Sequence, residues 1–341
     1  MKAQLVGVGL LIALFSIGCG DDDDGKKKSG DGGGGSSGSS GWTAAVGAEG
    51  TLLQTYDDEH WNKRRLVDFD LFGVSCVSNS TGWAVGDGGS ILTTRDSGVT
   101  WTPQSSGVTT ALRSVRFARG YNATVRDPSK FIGLTAGDSG VLLASQDGGD
   151  AWSPAVLDPP GTTLSVDLNA VATTAGAQLL LAVGDAGTVV RSEDAGQTFS
   201  VSQIAGAADL VGVSADEYGF RTLVADSQGR IFESEDLGKA WSLAFSAETP
   251  LSSIFVSGDA SRAVAAGPGG ALFTRAPNAS WARHSVGNND WFATLISHDR
   301  ERVYVAGGGG TVLLSKDHGA SWASIGQSGA SLFGLEDVAE Y

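Results

Sequence analysis

The chain has 341 residues, of which 41% are hydrophobic and 18% are charged, so it contains enough apolar material for a folded core, which excludes wholesale disorder. The formal net charge of -15 argues against a nucleic-acid-binding protein, because such proteins need a basic surface. Two cysteines exclude a disulfide-rich scaffold, and 50 glycines predict many tight turns.

Residues 1–18 have the polarity of a secretory signal peptide. Lys2 precedes an apolar run over 5–17, which is short for a transmembrane helix. The run ends in Gly18 and Cys19, a pair that resembles the bacterial lipobox. This resemblance implies that the Cys19 thiol is acylated and becomes the mature N-terminus. The alternative is an ordinary secretory signal that is cleaved nearby.

Residues 19–41 are predicted to form a lipidated cysteine and a tether. After Cys19 the segment contains only Gly, Ser, Asp and Lys, a composition that predicts a flexible, solvated spacer. In some bacteria, Asp directly after the cysteine, at the second position of the mature chain, retains a lipoprotein in the inner membrane. That position is Gly20 here, so we expect a lipid-anchored protein of the cell envelope, in the outer rather than the inner membrane.

Residues 42–341 contain seven copies of one unit. Each copy ends in a form of the box Ser/Thr-x-Asp-x-Gly-x-x-Trp, and four copies are complete: Thr94–Trp101, Ser145–Trp152, Ser234–Trp241 and Ser315–Trp322. Three copies are altered, since Ser192–Phe199 lacks the indole, Thr274–Trp281 lacks Asp and Gly, and Thr55–Trp61 is one residue short. The closing aromatic residues of the boxes recur every 40 to 51 residues, a period that is typical of a repeat architecture.

Each unit also contains the pattern of four antiparallel strands. A Leu-x-x-Val phrase such as Leu71/Val74 predicts strand A, and two apolar runs joined by a glycine turn, as over 83–92, predict the hairpin B–C. Strand D begins at the closing aromatic residue of the box. Four such strands per unit predict a blade of a β-propeller.

The two ends of the repeat region predict a closed ring. The first unit starts at Trp42 with strand B, whereas Leu335–Val338 supply a strand A that has no successor. The C-terminal strand is therefore expected to complete the N-terminal blade of an all-β, seven-bladed propeller. Closure of this kind protects the sheet edges from aggregation.

The box is predicted to clasp its hairpin. An Asp side chain can accept hydrogen bonds from turn amides, Gly supplies a positive φ, and Trp covers the hairpin base. Calcium binding is the alternative interpretation, although no box has the spacing of an EF-hand loop. The predicted structural residues are Asp96, Gly98, Trp101, Asp147, Gly149, Trp152, Asp194, Gly196, Asp236, Gly238, Trp241, Asp317, Gly319 and Trp322.

This phrase is the Asp box, or BNR repeat, of sialidases, sortilin-type receptors and xyloglucanase-like hydrolases. The wording over 82–101, GWAVGDGGSILTTRDSGVTW, resembles the photosystem II assembly and stability factor family. That resemblance covers roughly 42–341 and implies a seven-bladed propeller with an assembly or chaperone-like role. It does not carry an activity by itself, since the box occurs in enzymes and non-enzymes alike.

Two groups of side chains are candidates for binding. The B–C turns carry Glu49, Asp87, Asp138, Asp185 and Asp226, while Pro268 and Gly308 interrupt the series. These carboxylates could form a collar that attracts cations at one mouth of the ring, or they could simply stabilise turns.

A basic cluster, Arg113, Arg116 and Arg119, is the second candidate and could bind carboxylates of a partner. Salt bridges to the acidic surface are the alternative. Trp291 replaces the usual Leu at the start of strand A, either as an exposed binding residue or as a large core residue.

A non-catalytic module that binds a protein or peptide is the function that the sequence favours. The alternative is a glycoside hydrolase or lyase of the sialidase or xyloglucanase type, but the Arg-Ile-Pro segment that usually precedes the first box of sialidases does not occur here. The four histidines are scattered, so we expect no metal site, no cofactor and no catalytic residue. We expect a monomer.

Overall fold

The computed structural model describes residues 42–57, 60–119 and 130–338, with the backbone alone described for residue 119 and residues 336–338. Seven sheets form a ring, the seven-bladed β-propeller that the repeats predict. The predicted signal peptide and the predicted tether with Cys19, which together make up residues 1–41, lie outside the described residues.

The blades are numbered here from the N-terminus. Blades 1 to 3 contain the strands β1 (Trp42–Gly47), β2 (Thr51–Thr55), β3 (Asn62–Arg65); β4 (Leu71–Cys76), β5 (Gly82–Gly86), β6 (Ser90–Thr94), β7 (Thr102–Gln104); β8 (Leu112–Arg119), β9 (Phe131–Gly137), β10 (Leu142–Ser145) and β11 (Ser153–Pro154). Blades 4 and 5 contain β12 (Leu157–Asp158), β13 (Leu168–Thr173), β14 (Leu180–Gly184), β15 (Thr188–Ser192), β16 (Phe199–Gln203); β17 (Leu210–Ala215), β18 (Thr222–Asp226), β19 (Arg230–Ser234) and β20 (Ser242–Ser246). Blades 6 and 7 and the closing strand contain β21 (Ser253–Val256), β22 (Ala263–Ala266), β23 (Leu272–Arg275), β24 (Trp281–Arg283); β25 (Trp291–Ile296), β26 (Val303–Gly307), β27 (Thr311–Ser315), β28 (Ala323–Gln327) and β29 (Leu332–Val338).

The inner strands of the blades are mostly apolar and mostly buried. Strands such as β5 and β14 are fully buried, whereas most residues of the outer strand β20 are exposed. An inner strand packs against neighbouring blades on both faces, so both of its side-chain rows are covered and most of their residues are apolar. The core therefore lies between the blades, around the ring.

The closing strand confirms the predicted ring. β29 pairs antiparallel with β1 and completes blade 1, with Leu335 opposite Ala45. Its contacts with β4 of blade 2 and β25 of blade 7 close the circle of innermost strands. The predicted register was wrong by three residues, because Leu332 rather than Leu335 occupies the Leu position of strand A. Leu332 lies opposite Gly47, as Leu71 lies opposite Gly86.

A small residue at the third position of strand A lets neighbouring innermost strands approach. A Cβ added at Gly73 would lie 3.1 Å from the Cα of Ser114 in the next blade, and one at Gly334 would lie 3.2 Å from the Phe72 carbonyl oxygen. Every innermost strand obeys this rule, with Gly73, Ser114, Ala170, Gly212, Ser253, Ala293 and Gly334 at this position.

Blade 4 departs from the predicted four strands. The outer strand of blade 3, β11, has two residues, and the chain then crosses to blade 4, where β12 pairs parallel with β16. The link between blades 3 and 4 thus contributes a fifth strand to the sheet of blade 4.

Candidate functional site

The B–C turns and the links between blades lie together at one mouth of the ring. Six of the turns are single 3-10 turns: Ala48–Gly50, Asp87–Gly89, Asp138–Gly140, Asp185–Gly187, Pro268–Gly270 and Gly308–Gly310. In each turn the second residue is left-handed, for example Ala186 with φ 56°, and so is the following Gly. In five of these turns, all but Pro268–Gly270, the first residue donates its N–H to a carbonyl oxygen of the preceding link, as Asp87 does to Asp70 at 3.0 Å.

Four aspartates that the sequence analysis missed join successive blades at this mouth. Each stands directly before strand A, and its carboxylate caps the turn of the preceding blade. Asp70 Oδ1 accepts from the Glu49 N–H at 2.8 Å, while the Asp70 carbonyl oxygen accepts from Asp87 of the next blade. Asp167, Asp209 and Asp290 repeat the carboxylate contact at 2.8, 3.0 and 2.8 Å. The recurrence of Asp before the Leu or Trp of strand A was the available signal.

The carboxylates on the turns are held close to one another. Burial raises the pKa of Asp87, and the negative charges of Asp70 and Asp138 add to that rise. Burial likewise raises the pKa of Asp185, with the charges of Asp209 and Asp167 acting in the same direction. These shifts indicate an acidic mouth in which neighbouring carboxylates repel one another.

Asp226 does not belong to this acidic surface. Its side chain is fully buried, and the Arg230 guanidinium lies 2.6 Å from Asp226 Oδ2. Asp226 Oδ1 accepts from the N–H groups of Gln228 and Arg230, so this carboxylate holds the B–C turn of blade 5. For Asp226, the structure therefore agrees with the alternative of turn stabilisation rather than with membership of the collar.

Arg113 lies at the mouth but is already paired. Its guanidinium contacts Asp138, and its Nη2 donates to Asp167 Oδ2 at 3.1 Å. Its Nη1 donates to Asn169 Oδ1 at 3.2 Å. This arrangement is the salt-bridged alternative that the sequence left open: Arg113 bridges blades 3 and 4 and partly offsets the negative charge of the mouth.

The other members of the predicted contact patch do not join Arg113 on the surface. Arg116 is fully buried on β8, where its Nη1 donates to the Val74 carbonyl oxygen of blade 2 at 3.1 Å. Trp291 is also fully buried, so it is the large core residue rather than the exposed one. Direct contact of either side chain with a partner conflicts with this burial. The strand periodicity could not reveal it, because both faces of an innermost strand are covered. Arg119 ends β8 opposite Phe131, and its side chain lies outside the described part of the chain.

The Asp boxes lie on the opposite rim and have the geometry of a hairpin clasp. Asp147 Oδ1 accepts from the Ser145 hydroxyl at 2.8 Å and from the Ala151 N–H at 3.0 Å. The Ser145 oxygen accepts from the N–H of Gly149, whose φ is 82°. The boxes at Asp96, Asp194, Asp236 and Asp317 repeat this pattern.

The clasp lowers the pKa of its carboxylate. The hydroxyl of Ser321 and then its N–H lower the pKa of Asp317 to about 2. The pKa values of the aspartates in the other four boxes are lowered as well. In three boxes the indole N–H donates to the box glycine: Trp101, Trp241 and Trp322 contact Gly98, Gly238 and Gly319 at 3.2, 3.2 and 3.0 Å.

Within the described ranges, no group of three or more His, Cys, Asp or Glu side chains has the arrangement of a metal site. The same residues include no helix with the length and apolar character needed to cross a membrane.

Comparisons with known proteins support the propeller and its relationship to one family. The family model of the photosynthesis system II assembly factor YCF48 matches residues 53–332. A structure of YCF48 bound to D1 peptide is 20% identical, with a TM-score of 0.56, and the match covers 83% of this chain and 85% of that chain. YCF48 from Cyanidioschyzon merolae is 21% identical, with a TM-score of 0.58 and coverage of 83% and 88%. The β-propeller domain of Cps50 (Swd1) from Myceliophteria thermophila is 13% identical, with a TM-score of 0.59 and coverage of 80% and 92%. A comparison with curated proteins gives no match.

Proposed function

Because the chain belongs to the family of the photosynthesis system II assembly factor YCF48, we propose that it is a non-catalytic, assembly-factor-type propeller that binds a peptide segment of a protein partner at its acidic mouth. The family match over residues 53–332 is the observation that carries this proposal. A related propeller, YCF48, has been solved with a D1 peptide bound, which supports a peptide as the class of ligand.

The rigidity of the mouth supports the same function. Carboxylates of the links cap turns of the preceding blades, and backbone carbonyls of the links cap turns of the following blades. A binding surface that is already ordered loses little conformational entropy when a partner binds. The mouth can therefore hold an extended segment without rearranging.

The charge of the mouth favours a positively charged segment. Asp87 and Asp185 have raised pKa values partly because other carboxylates lie near them. A positive charge on the bound segment relieves the repulsion between these carboxylates. The attraction between the segment and the mouth also accelerates their association at low ionic strength. In this arrangement Arg113 acts as a positioning residue, because it fixes Asp138 and Asp167.

We further propose that Cys19 anchors the protein to the cell envelope and that residues 19–41 let the propeller reach partners at the membrane. Cys19→Ala should abolish fatty-acid labelling and release the protein from the membrane fraction. Labelling that persists in this variant would contradict the anchor, whereas partner binding by the propeller is measured separately.

Site-specific crosslinking in the native cell tests the mouth. A photoreactive residue at Gln228, exposed on the B–C turn of blade 5, should capture one discrete protein partner. The matched control at Leu243, which is 59% exposed on the outer strand of the same blade, should not capture it. Equal capture at both positions, or capture at neither, would contradict binding at the mouth.

Charge removal sharpens the test. The double variant Asp87→Asn/Asp185→Asn should weaken capture at Gln228 without lowering the melting temperature, because it removes mutually repelling carboxylates. The enzymatic alternative predicts another outcome. Turnover of a sialoside or a β-glucan by residues 42–341, lost in Asp138→Asn, would establish a hydrolase or lyase instead.

A further inference from the structure

A recess lies between blades 5 and 6 on the rim of the Asp boxes, which is the rim opposite the acidic mouth. Its volume is about 760 Å³. The A–B loops of the two blades, residues 216–221 and 257–262, form two walls, and the box hairpin of blade 6 forms a third. Arg221 Nη1 donates to the Ala260 carbonyl oxygen at 3.3 Å and joins the two loops.

The altered box of blade 6 opens this recess. Ala276 stands where the other boxes have the clasping Asp, and Asn278 stands where they have Gly. Asn278 keeps the left-handed backbone, with φ 56°, so the hairpin retains its path without the clasp. The short side chain of Ala276 leaves open a place that a clasped carboxylate occupies in the intact boxes.

One carboxylate of the recess has an oxygen without a partner. Asp216 is 5% exposed, and its Oδ1 has no hydrogen-bond partner among the described residues. Backbone N–H groups of its own loop, including those of Gly219 and Arg221, interact with the carboxylate, but burial still raises its pKa. An ionised carboxylate that is buried with an unfilled oxygen is costly unless a cation or donor reaches it.

The other carboxylates around the recess lie beside arginines of the protein. Glu233 lies between two arginines, 2.5 Å from Arg221 Nε and 3.1 Å from Arg275 Nη1. Asp259 Oδ2 lies 3.0 Å from Arg300 Nη1. Glu235, a further carboxylate of the lining, is 73% exposed and lies 3.5 Å from Arg221 Nη2. Asp216 is thus the buried carboxylate of the recess, and its Oδ1 has no hydrogen-bond partner among the described residues.

Two exposed aromatic rings stand beside Asp216 on the same loop. Tyr218 is 51% exposed and Phe220 is 68% exposed, and their ring centroids are 6.1 Å apart. Phe220 also lines the recess. An exposed aromatic face next to a carboxylate attracts a cation and covers the aliphatic stem that carries it.

We propose that this recess binds a lysine or arginine side chain of a peptide segment in a partner protein. The positive charge of the head lies beside the Asp216 carboxylate, and the aliphatic stem packs along Phe220. This site lies on the other rim from the mouth and goes beyond the proposed function, because it assigns a second contact surface and a chemical requirement to the partner.

The proposal is tested with the full chain and defined probes. A fluorescently labelled, C-terminally amidated peptide with the sequence Gly-Leu-Lys-Leu-Gly is compared by fluorescence anisotropy with the versions that carry arginine or norleucine in place of lysine. Norleucine keeps the stem and lacks the charge, so the lysine and arginine peptides should bind about tenfold more tightly. Equal affinity of the lysine and norleucine peptides, or no binding of any peptide, would overturn the proposal.

Variants locate the binding on the protein. Asp216→Asn should weaken the lysine peptide about tenfold, and Phe220→Ala should weaken it about threefold. The matched controls are Asp68→Asn and Tyr56→Ala, whose side chains are exposed in blade 1 and the link to blade 2, and they should bind as the wild type does. Wild-type affinity in Asp216→Asn, or the same loss in the controls, would overturn the assignment. Should Asp216→Asn fail to fold by circular dichroism, Phe220→Ala and the norleucine peptide decide the result.

Two further measurements are needed. The first asks whether the recess prefers a peptide side chain to a free polyamine, and the second asks whether the peptide binds at the recess or at the mouth. Free spermidine that competes as tightly as the lysine peptide would overturn the assignment to a peptide side chain. In the background of the mouth variant Asp87→Asn/Asp185→Asn, the change Asp216→Asn should still weaken binding of the lysine peptide about tenfold. If that variant alone abolishes binding, the peptide occupies the mouth and the recess is not the site.

Discussion

The ring is held together differently along its arc and at its closure. From blade 2 to blade 7, each pair of neighbouring innermost strands is joined by a side chain that bonds to the backbone of the other strand. The pairs, in order, are Arg116 with Val74, Ser114 with Val171, Asn169 with Leu210, Ser214 with Val256, and Ser253 with Thr294. At the closure the equivalent contacts are aromatic, with Phe333 of β29 between Phe292 and Phe72.

The difference has a physical reason. A hydrogen bond from a side chain to a backbone group forms only when the two neighbouring strands are aligned in one register. Along the arc these bonds join blades that also follow each other in the chain, as Ser214 of blade 5 and Val256 of blade 6 do. The closing strand comes from the far end of the chain, and apolar burial is non-directional. Phe333 therefore stabilises the closure by burying apolar surface. Its ring centroid lies 5.7 Å from that of Phe292 and 6.0 Å from that of Phe72.

The largest expected effect is loss of the closure itself. Deletion of residues 332–341 removes β29 and exposes the edge of β1, together with the apolar surface that Leu332 and Leu335 cover. We expect the cooperative thermal transition to disappear or the protein to aggregate, measured by calorimetry and light scattering. A synthetic peptide of residues 330–341 should restore the transition. A truncated protein that melts like the full-length chain would disprove closure by this strand.

A single side chain tests the apolar side of the comparison. Phe333→Ala should lower the free energy of unfolding by about 3–5 kcal/mol, because it removes a buried ring and leaves a cavity. Phe333→Leu, which retains most of the volume, should cost less than about 1.5 kcal/mol. Chemical denaturation measures both variants. Equal losses for Ala and Leu would mean that the contact depends on ring geometry rather than on buried area.

Arg116 tests the polar side. Arg116→Ala should cost about 3 kcal/mol, because it removes a fully buried side chain and leaves the polar groups around it without their partner. Arg116→Met fills the same space without a charge and should cost about 1 kcal/mol or less, as buried charges can often be replaced by apolar groups. A methionine variant that is as unstable as the alanine variant would show that the arc needs the hydrogen bonds and not only the volume.

These two sides also show which parts of the molecule could be predicted from the sequence. The blades, the ring closure and the clasps follow from repeated residue types at fixed spacing, so the box at Asp147 could be interpreted correctly. The predicted closing register was wrong by three residues. Leu335–Val338 fits the Leu-x-x-Val phrase, whereas strand A begins at Leu332, with Leu335 in the place of Val and the small residue Gly334 at the third position.

The candidate site was harder to predict because it depends on the direction of side chains. Arg113 and Arg116 are three residues apart in the sequence, yet one reaches the mouth and the other lies between blades 2 and 3. The caps formed by Asp70, Asp167, Asp209 and Asp290 join residues from different blades, and the unfilled oxygen of Asp216 depends on the path of one loop. A pattern of residue types contains no information about these distances.

The smallest expected effect concerns pH and separates electrostatic clasps from apolar closure. The Ser321 hydroxyl and N–H hold the pKa of Asp317 at about 2, below the ordinary value of 3.8. A lowered pKa means that the carboxylate stabilises the fold above pH 4 and that this contribution is lost as the pH falls from about 4 to about 2. Asp317→Asn should therefore lower the melting temperature slightly at pH 7 and should equal the wild type near pH 2. The penalty of Phe333→Leu should stay constant over the same range, since no ionisable group is changed. Melting temperatures of the three proteins between pH 2 and pH 7 decide the matter, and a pH-independent penalty for Asp317→Asn would mean that the clasp acts through shape alone.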